Sequence, residues 1–117
     1  TSNNLNMPYI NISTSAKVDD KKILLEEISF LISALTNKSK KFVMAKIEDN
    51  LEMYFLDEKP SCLLEIKSIG SIEPSKMVKP LCDFIVEKTG IAIDKIYIHF
   101  EDVPASMWGW NGRTFGK

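Results

Sequence analysis

Residues 62–101, CLLEIKSIGSIEPSKMVKPLCDFIVEKTGIAIDKIYIHFE, carry a strand, a helix and a second strand in succession. Cys62 to Ser68 reads as a strand, closed by Ile69-Gly70. Pro74 suits the first turn of a helix that runs to Thr89. There Val78, Leu81, Cys82, Ile85 and Val86 fall on one face, and Gly90 supplies the stop. Pro80 lies inside this helix, where a missing N–H and a ring clash cost about 3 kcal/mol. The apolar stripe continues past it, so the helix is kept. From Lys95 to Glu101, Ile96, Ile98 and Phe100 alternate with Tyr97, His99 and Glu101, the period of a strand with two unlike faces.

The same pattern stands about 54 residues earlier. Tyr9 to Thr14 alternates with Ile10 and Ile12 on one face. Asp19 to Thr36 carries Leu24, Ile28, Leu31, Ile32 and Leu35 at helical spacing behind an acidic start. Phe42 to Ile47 is apolar on both faces, which predicts an internal strand. Two β-α-β repeats with right-handed crossovers give an α+β domain, a four-stranded mixed sheet with both helices on one face. The other sheet face would carry Tyr9, Asn11, Ser13, Glu65, Lys67, Tyr97 and His99. That set is too polar for a second core layer and too rich in aromatic and paired groups for plain solvent surface. A subunit contact or a wet channel fits it.

The chain's 117 residues bound one domain. Fifteen basic against sixteen acidic residues leave a net charge of -1, which argues against a polyanion partner such as nucleic acid. No apolar run approaches the roughly 20 residues of a membrane span, and TSNNLNMPYINIST lacks the layout of a signal peptide. Cys62 and Cys82 read as reduced core residues; no disulfide framework, metal site or cofactor is expected.

Met7-Pro8 opens the first strand, Lys38 follows the first helix, and Ser68-Ile69-Gly70 closes the third strand. Ile96-Tyr97-Ile98 lies in the last long strand, and the tail reads Trp108-Gly109-Trp110-Asn111-Gly112-Arg113-Thr114-Phe115. In this order, within a duplicated frame, these residues resemble the macrophage migration inhibitory factor and D-dopachrome tautomerase family, over Pro8 to Gly116. The resemblance implies a tautomerase-fold homotrimer around a central channel, with active sites at subunit interfaces. It also implies an isomerase (intramolecular oxidoreductase) interconverting keto and enol forms of small aromatic acids such as phenylpyruvate.

By the same resemblance Pro8 is the base, and later the acid that returns the proton. Lys38 and the N–H of Ile69 hold the carboxylate or enolate; Tyr97 of a neighbouring subunit closes the pocket; Trp108 and Phe115 form apolar walls. A free α-amino group has a pKa near ~8. Burial beside a cation lowers it toward the range useful for proton abstraction next to a carbonyl. His99, where relatives commonly carry asparagine, would sit at the pocket rim. The Cys-X-X-Cys of some relatives is absent, and the loop Leu56 to Lys59 lacks their glycines. Each residue also has a plainer reading. Pro8 can simply start a strand, Lys38 can belong to a solvated lysine-rich turn, and Tyr97 and His99 can be interface residues. Trp110 is assigned to packing.

Residues 1–7 read as a leader or remnant, and 8–117 as the domain. While Met7 is attached, the Pro8 nitrogen is an amide with no basic lone pair. Processing to Pro8 is therefore expected to switch the tautomerase on. The alternatives from other classes are a cytokine-like module with a protein receptor, and a catalytically silent trimer. The expected compartment is the cytoplasm, or the exterior by a route that needs no signal peptide.

Overall fold

A computed structural model of the chain describes residues 7–116. The leader assigned to residues 1–7 falls outside the described residues except for Met7. Strand β1 (Tyr9–Thr14) is followed by α1 (Lys21–Thr36), a 3-10 turn Lys40–Phe42, and β2 (Met44–Glu48). Then come β3 (Cys62–Ser68), α2 (Pro74–Thr89), a 3-10 turn Ile93–Lys95 and β4 (Ile96–Asp102). The chain closes with a turn at Ala105–Met107 and a hairpin of β5 (Gly109–Trp110) and β6 (Arg113–Thr114).

The four long strands form one sheet in the order β2-β1-β3-β4. Each repeat contributes a parallel pair, β1 with β2 and β3 with β4, and the repeats meet antiparallel at β1–β3. Ile10, Ile12, Leu64 and Ile66 face Leu24, Ile28 and Ile32 of α1 and Met77, Leu81 and Ile85 of α2 in a single core. The duplicated α+β architecture expected from the periodicity is therefore the one observed.

Local signals place the helix ends. The Asp20 carboxylate caps α1 by accepting from the N–H of Ile23 (3.2 Å). Gly90 ends α2 with φ 77, a left-handed conformation glycine adopts without a Cβ penalty. Helix α2 runs unbroken through Pro80, because the buried stripe on both sides offsets the lost bond.

Two expectations are corrected. Strand β2 is an edge strand, not an internal one: Ala45 and Ile47 turn toward the helices while Met44, Lys46 and Glu48 face outward, Met44 being 67% exposed. Val78 is not inward. The buried stripe of α2 runs through Met77, Leu81 and Ile85 at four-residue spacing, and Val78 lies at its rim, 42% exposed.

The buried thiols behave as core groups. Burial, and then the neighbouring Cys82, push the Cys62 thiol up to about 12, and burial raises that of Cys82. Both are free cysteines held as unreactive thiols.

Candidate active site

On the sheet face away from the helices, the strand register aligns three rows of side chains. They are Met44–Tyr9–Lys67–Glu101, Lys46–Asn11–Glu65–His99 and Glu48–Ser13–Leu63–Tyr97. In the middle row the Asn11 amide donates to the Glu65 carboxylate (3.2 Å) and the Ser13 hydroxyl (3.3 Å), and its own carbonyl oxygen is buried without a partner among the described residues. His99 stands exposed beyond Glu65.

Pro8 sits at the Met44 end of this face. It is fully buried, and its carbonyl accepts from the N–H of Met44 (3.0 Å), tying the start of β1 to β2. A cavity of about 730 Å³ opens over it, within the range of small-molecule sites. It is lined by Met7, Pro8 and Tyr9, by Lys41 to Ala45, by Lys67, and by Trp108 to Trp110.

The tail supplies the aromatic wall by a local rule: Asn111-Gly112 is the dipeptide of a tight hairpin turn. Both residues have positive φ (56 and 81), as the two-residue turn joining β5 to β6 requires. The hairpin stacks Trp110 on Phe115 (6.3 Å between centroids, 7° between planes) and sets the Trp110 ring edge-on to Phe42 at 6.1 Å. Trp108 holds the tail, its carbonyl accepting from the N–H of Phe115 (3.0 Å).

Among the expected site residues, the fold brings Pro8 and Trp108 together on the cavity. Trp110, assigned to packing, lines the cavity too, whereas Phe115 faces a smaller recess behind it with Asn111 and Arg113. Lys38 is buried beside the C-terminus of α1. Its N–H donates to the Ser33 carbonyl (3.2 Å), its carbonyl accepts from the Ser33 hydroxyl, and it stands outside the cavity wall. Ile69 lies in the turn after β3, where the next N–H, of Gly70, donates to the Asp102 carboxylate (2.8 Å). The cations on the wall are Lys41 and Lys67, which sequence reasoning did not assign to the site. For Lys67 a signal existed: it alternates onto the open face and opposes Tyr9, next to Pro8.

Tyr97 is 61% exposed at the far end of the face. The register puts it about 17 Å along the strands and about 10 Å across them from Pro8 of its own chain. One chain cannot bring the two together. The Tyr97 ring packs on Phe55 (4.4 Å between centroids), in a loop pinned by Lys95. Lys95, buried although charged, donates to the carbonyl of Phe55 and to the carboxylate of Asp57, whose pKa it lowers by that hydrogen bond. The loop tip, Leu56, has φ 67 in a three-residue turn closed by the N–H of Asp57 on the Phe55 carbonyl (2.7 Å). A non-glycine residue held there costs about 1–3 kcal/mol, which the Lys95 contacts offset. Among the described residues no group of three or more His, Cys, Asp or Glu is arranged to hold a metal, and no helix is long and apolar enough to cross a membrane.

Comparison with known proteins agrees with the geometry. Residues 7–116 match the family model described as macrophage migration inhibitory factor. The chain is 32% identical over 114 residues to the macrophage migration inhibitory factor homolog of Trichinella spiralis, covering 93% of this chain and 100% of that one. It is 29% identical over 114 residues to the factor of Xenopus tropicalis, covering 93% and 99%. Its fold superposes on the crystal structure of the homologue from Prochlorococcus marinus with a TM-score of 0.87 at 40% identity, covering 92% and 99% of the two chains.

Proposed function

The chain belongs to the macrophage migration inhibitory factor family, and from that premise we propose that it is a keto–enol tautomerase with Pro8 as its base. Membership supports a tautomerase or cytokine-like role in general. The observation that carries the finer reading is the position of Pro8, buried against a cavity of about 730 Å³ whose lining also includes Trp108, Trp110, Lys41 and Lys67.

The chemistry follows from that placement. A freed Pro8 is a secondary amine whose protonated form is disfavoured by burial and by the nearby cations, so it stays basic near neutral pH. It takes a proton from the carbon next to the ketone of an aromatic keto acid. The enolate that forms needs cationic or N–H donors, a role the family resemblance gives to Lys38 and the N–H of Ile69 although both lie outside the cavity wall of the single chain, and Pro8 then returns the proton. Trp108 holds the ring, and Phe115 supports that wall from behind by stacking on Trp110. Tyr97 serves the Pro8 of a neighbouring copy, since it lies too far from its own, and His99 of that copy comes to the rim. This needs a homo-oligomer, for which a symmetric trimer is the proposed form.

With Met7 attached, the nitrogen of Pro8 is an amide and the base is absent. Met7 also occupies part of the cavity wall. That observation favours a second reading for the extended chain, a binding module of cytokine-like type with an inactive pocket. The test compares phenylpyruvate enolisation by the extended chain and by a form beginning at Pro8, at equal oligomer concentration. Turnover should appear in the trimmed form and fall at least about 100-fold on Pro8→Gly, the size of effect a general base contributes. Equal activity of the extended and trimmed forms would remove Pro8 from the role.

A further inference from the structure

The cavity over Pro8 has a charge pattern that one carboxylate does not use. Among the described residues its wall contains Lys41 and Lys67 and not one Asp or Glu. The two lysines come from different elements. Lys41 belongs to the 3-10 turn that leads into β2, and Lys67 to the end of β3, beside Tyr9. Neither forms an ion pair among the described residues, although Lys21, Lys76, Lys79, Lys88 and Lys95 all do. Lys41 lies over the Phe42 ring (5.1 Å), a contact that leaves its ammonium donors available. Glu101 opposes Lys67 across β4 but is not part of the wall. Between the lysines the surface is apolar: Tyr9, Phe42, Val43, Met44, Trp108 and Trp110.

We propose that this cavity selects aromatic ligands carrying two anionic groups, with Lys41 and Lys67 as the determinants of that selectivity. The proposal rests on the Pro8 cavity being the ligand site but not on its catalysis. An aromatic body fills the apolar surface against Trp108 and Trp110. One carboxylate is held near Pro8, and the second meets a lysine ammonium at the wall in a charge-assisted hydrogen bond. A monoanion of the same shape leaves one cation solvated and gains nothing from it.

The test uses cinnamate and 4-carboxycinnamate, flat aromatic acids that differ by one carboxylate, titrated against tryptophan fluorescence. Trp108 and Trp110 line the cavity and report occupancy directly. Both the full chain and the form beginning at Pro8 are titrated at low salt. The diacid should bind about tenfold tighter than the monoacid, the scale of one charge-assisted hydrogen bond, and the preference should shrink as salt rises. Lys67→Met and Lys41→Met should each erode the preference, and the double variant should abolish it. Lys22→Met, an equal charge change on exposed α1 outside this cavity, should leave the preference intact. The proposal is overturned if neither form prefers the diacid, if neither acid binds either form, or if the double variant keeps the preference. Phenylpyruvate turnover is scored separately. A trimmed form that prefers the diacid without turnover removes the catalytic reading alone; turnover without the preference removes this inference alone.

Discussion

Lys95 and Lys67 lie at opposite ends of the β3–β4 pair, about 20 Å apart along the strands, and the fold treats them in opposite ways. Lys95 is 4% exposed, and its ammonium is used up by the chain itself: the carbonyls of Phe55 and Asp57 (the latter at 3.4 Å) and the Asp57 carboxylate. Lys67 is half-buried, lines a cavity and forms no ion pair among the described residues. A lysine has three donors and no acceptor. When the chain consumes all three, the residue fixes geometry. When it leaves them facing an apolar cavity, the residue is free to meet an anion. Residue type is the same at both ends; the count of partners separates scaffold from site.

The largest expected effect tests the scaffold end. Lys95→Ala removes the ammonium donor shared by the Phe55 and Asp57 carbonyls and the Asp57 carboxylate, together with a packed aliphatic stem, for an expected loss of about 2–3 kcal/mol. Urea unfolding should show the midpoint falling with little change in slope. Lys95→Met keeps the stem, so it should recover part of the loss and isolate what the donors contribute. A cost under about 0.5 kcal/mol for Lys95→Ala would break the comparison, because Lys95 would then be an ordinary surface lysine.

The fold was legible because both repeats state their periods plainly. Ile10, Ile12, Leu64 and Ile66 alternate, and the helix stripes recur every three or four residues. Errors arose where one residue could serve two surroundings. Phe42 to Ile47 reads as apolar on both faces, but the exposed face of β2 begins at Met44, and periodicity cannot tell an edge from a centre. The candidate site was legible at Pro8 and Trp108 through family resemblance. Lys41 and Lys67 escaped because a lysine in a strand or turn carries no local mark of what it faces; only the register beside Tyr9 and the returning tail place them on the cavity. Trp110 escaped for a different reason, since its role depends on the turn at Asn111-Gly112.

The tail sets the cavity end, and Gly116 fixes the tail. A Cβ at Gly116 would meet the backbone of Ser106 at 2.6 Å, where the N–H of Gly116 also donates to the Ala105 carbonyl (3.1 Å). Gly116→Ala should therefore push the tail off the 105–107 turn, at about 1–2 kcal/mol of overpacking. Its signature should be regional: tryptophan fluorescence and ligand binding change, while the Phe55–Tyr97 end keeps its protection in hydrogen exchange. Loss of protection at both ends alike would mean that the two regions are not independent.

A smaller effect separates the ends by pH. The Asp57 carboxyl is held below its ordinary 3.8 by the Lys95 hydrogen bond first and the Lys59 N–H second. A depressed carboxyl contributes stability that is fully present above its unfolded pKa and is lost as pH falls through the folded value. Stability should thus decline as pH drops below about 4, and Asp57→Asn should decline less over the same window. Asp49, lowered chiefly by the Val18 N–H and then by Lys21, shares the acid window and should be replaced in parallel as a control. Among the described residues no Asp or Glu lines the cavity, so the part of the acid decline that Asp57→Asn removes reports the scaffold end.

The smallest expected effect is the most discriminating. Lys41→Met and Lys67→Met should alter stability by no more than about 0.5 kcal/mol each, as for residues that form no ion pair among the described residues. The sign for Lys67 is informative as well. It sits beside Tyr9 and lines a largely apolar cavity, so replacing a cation with no ion pair among the described residues by a flexible apolar side chain removes a desolvation cost and fills space. Neutral or slightly positive is therefore the expected direction. A residue that can be replaced without loss of stability, yet whose replacement changes which acid the cavity prefers, is there for the ligand. If Lys67→Met instead costs as much as Lys95→Ala, then Lys67 is bonded within the fold as Lys95 is, its pairing with Glu101 across β4 becomes the first place to look, and the contrast between the two ends of the sheet is lost.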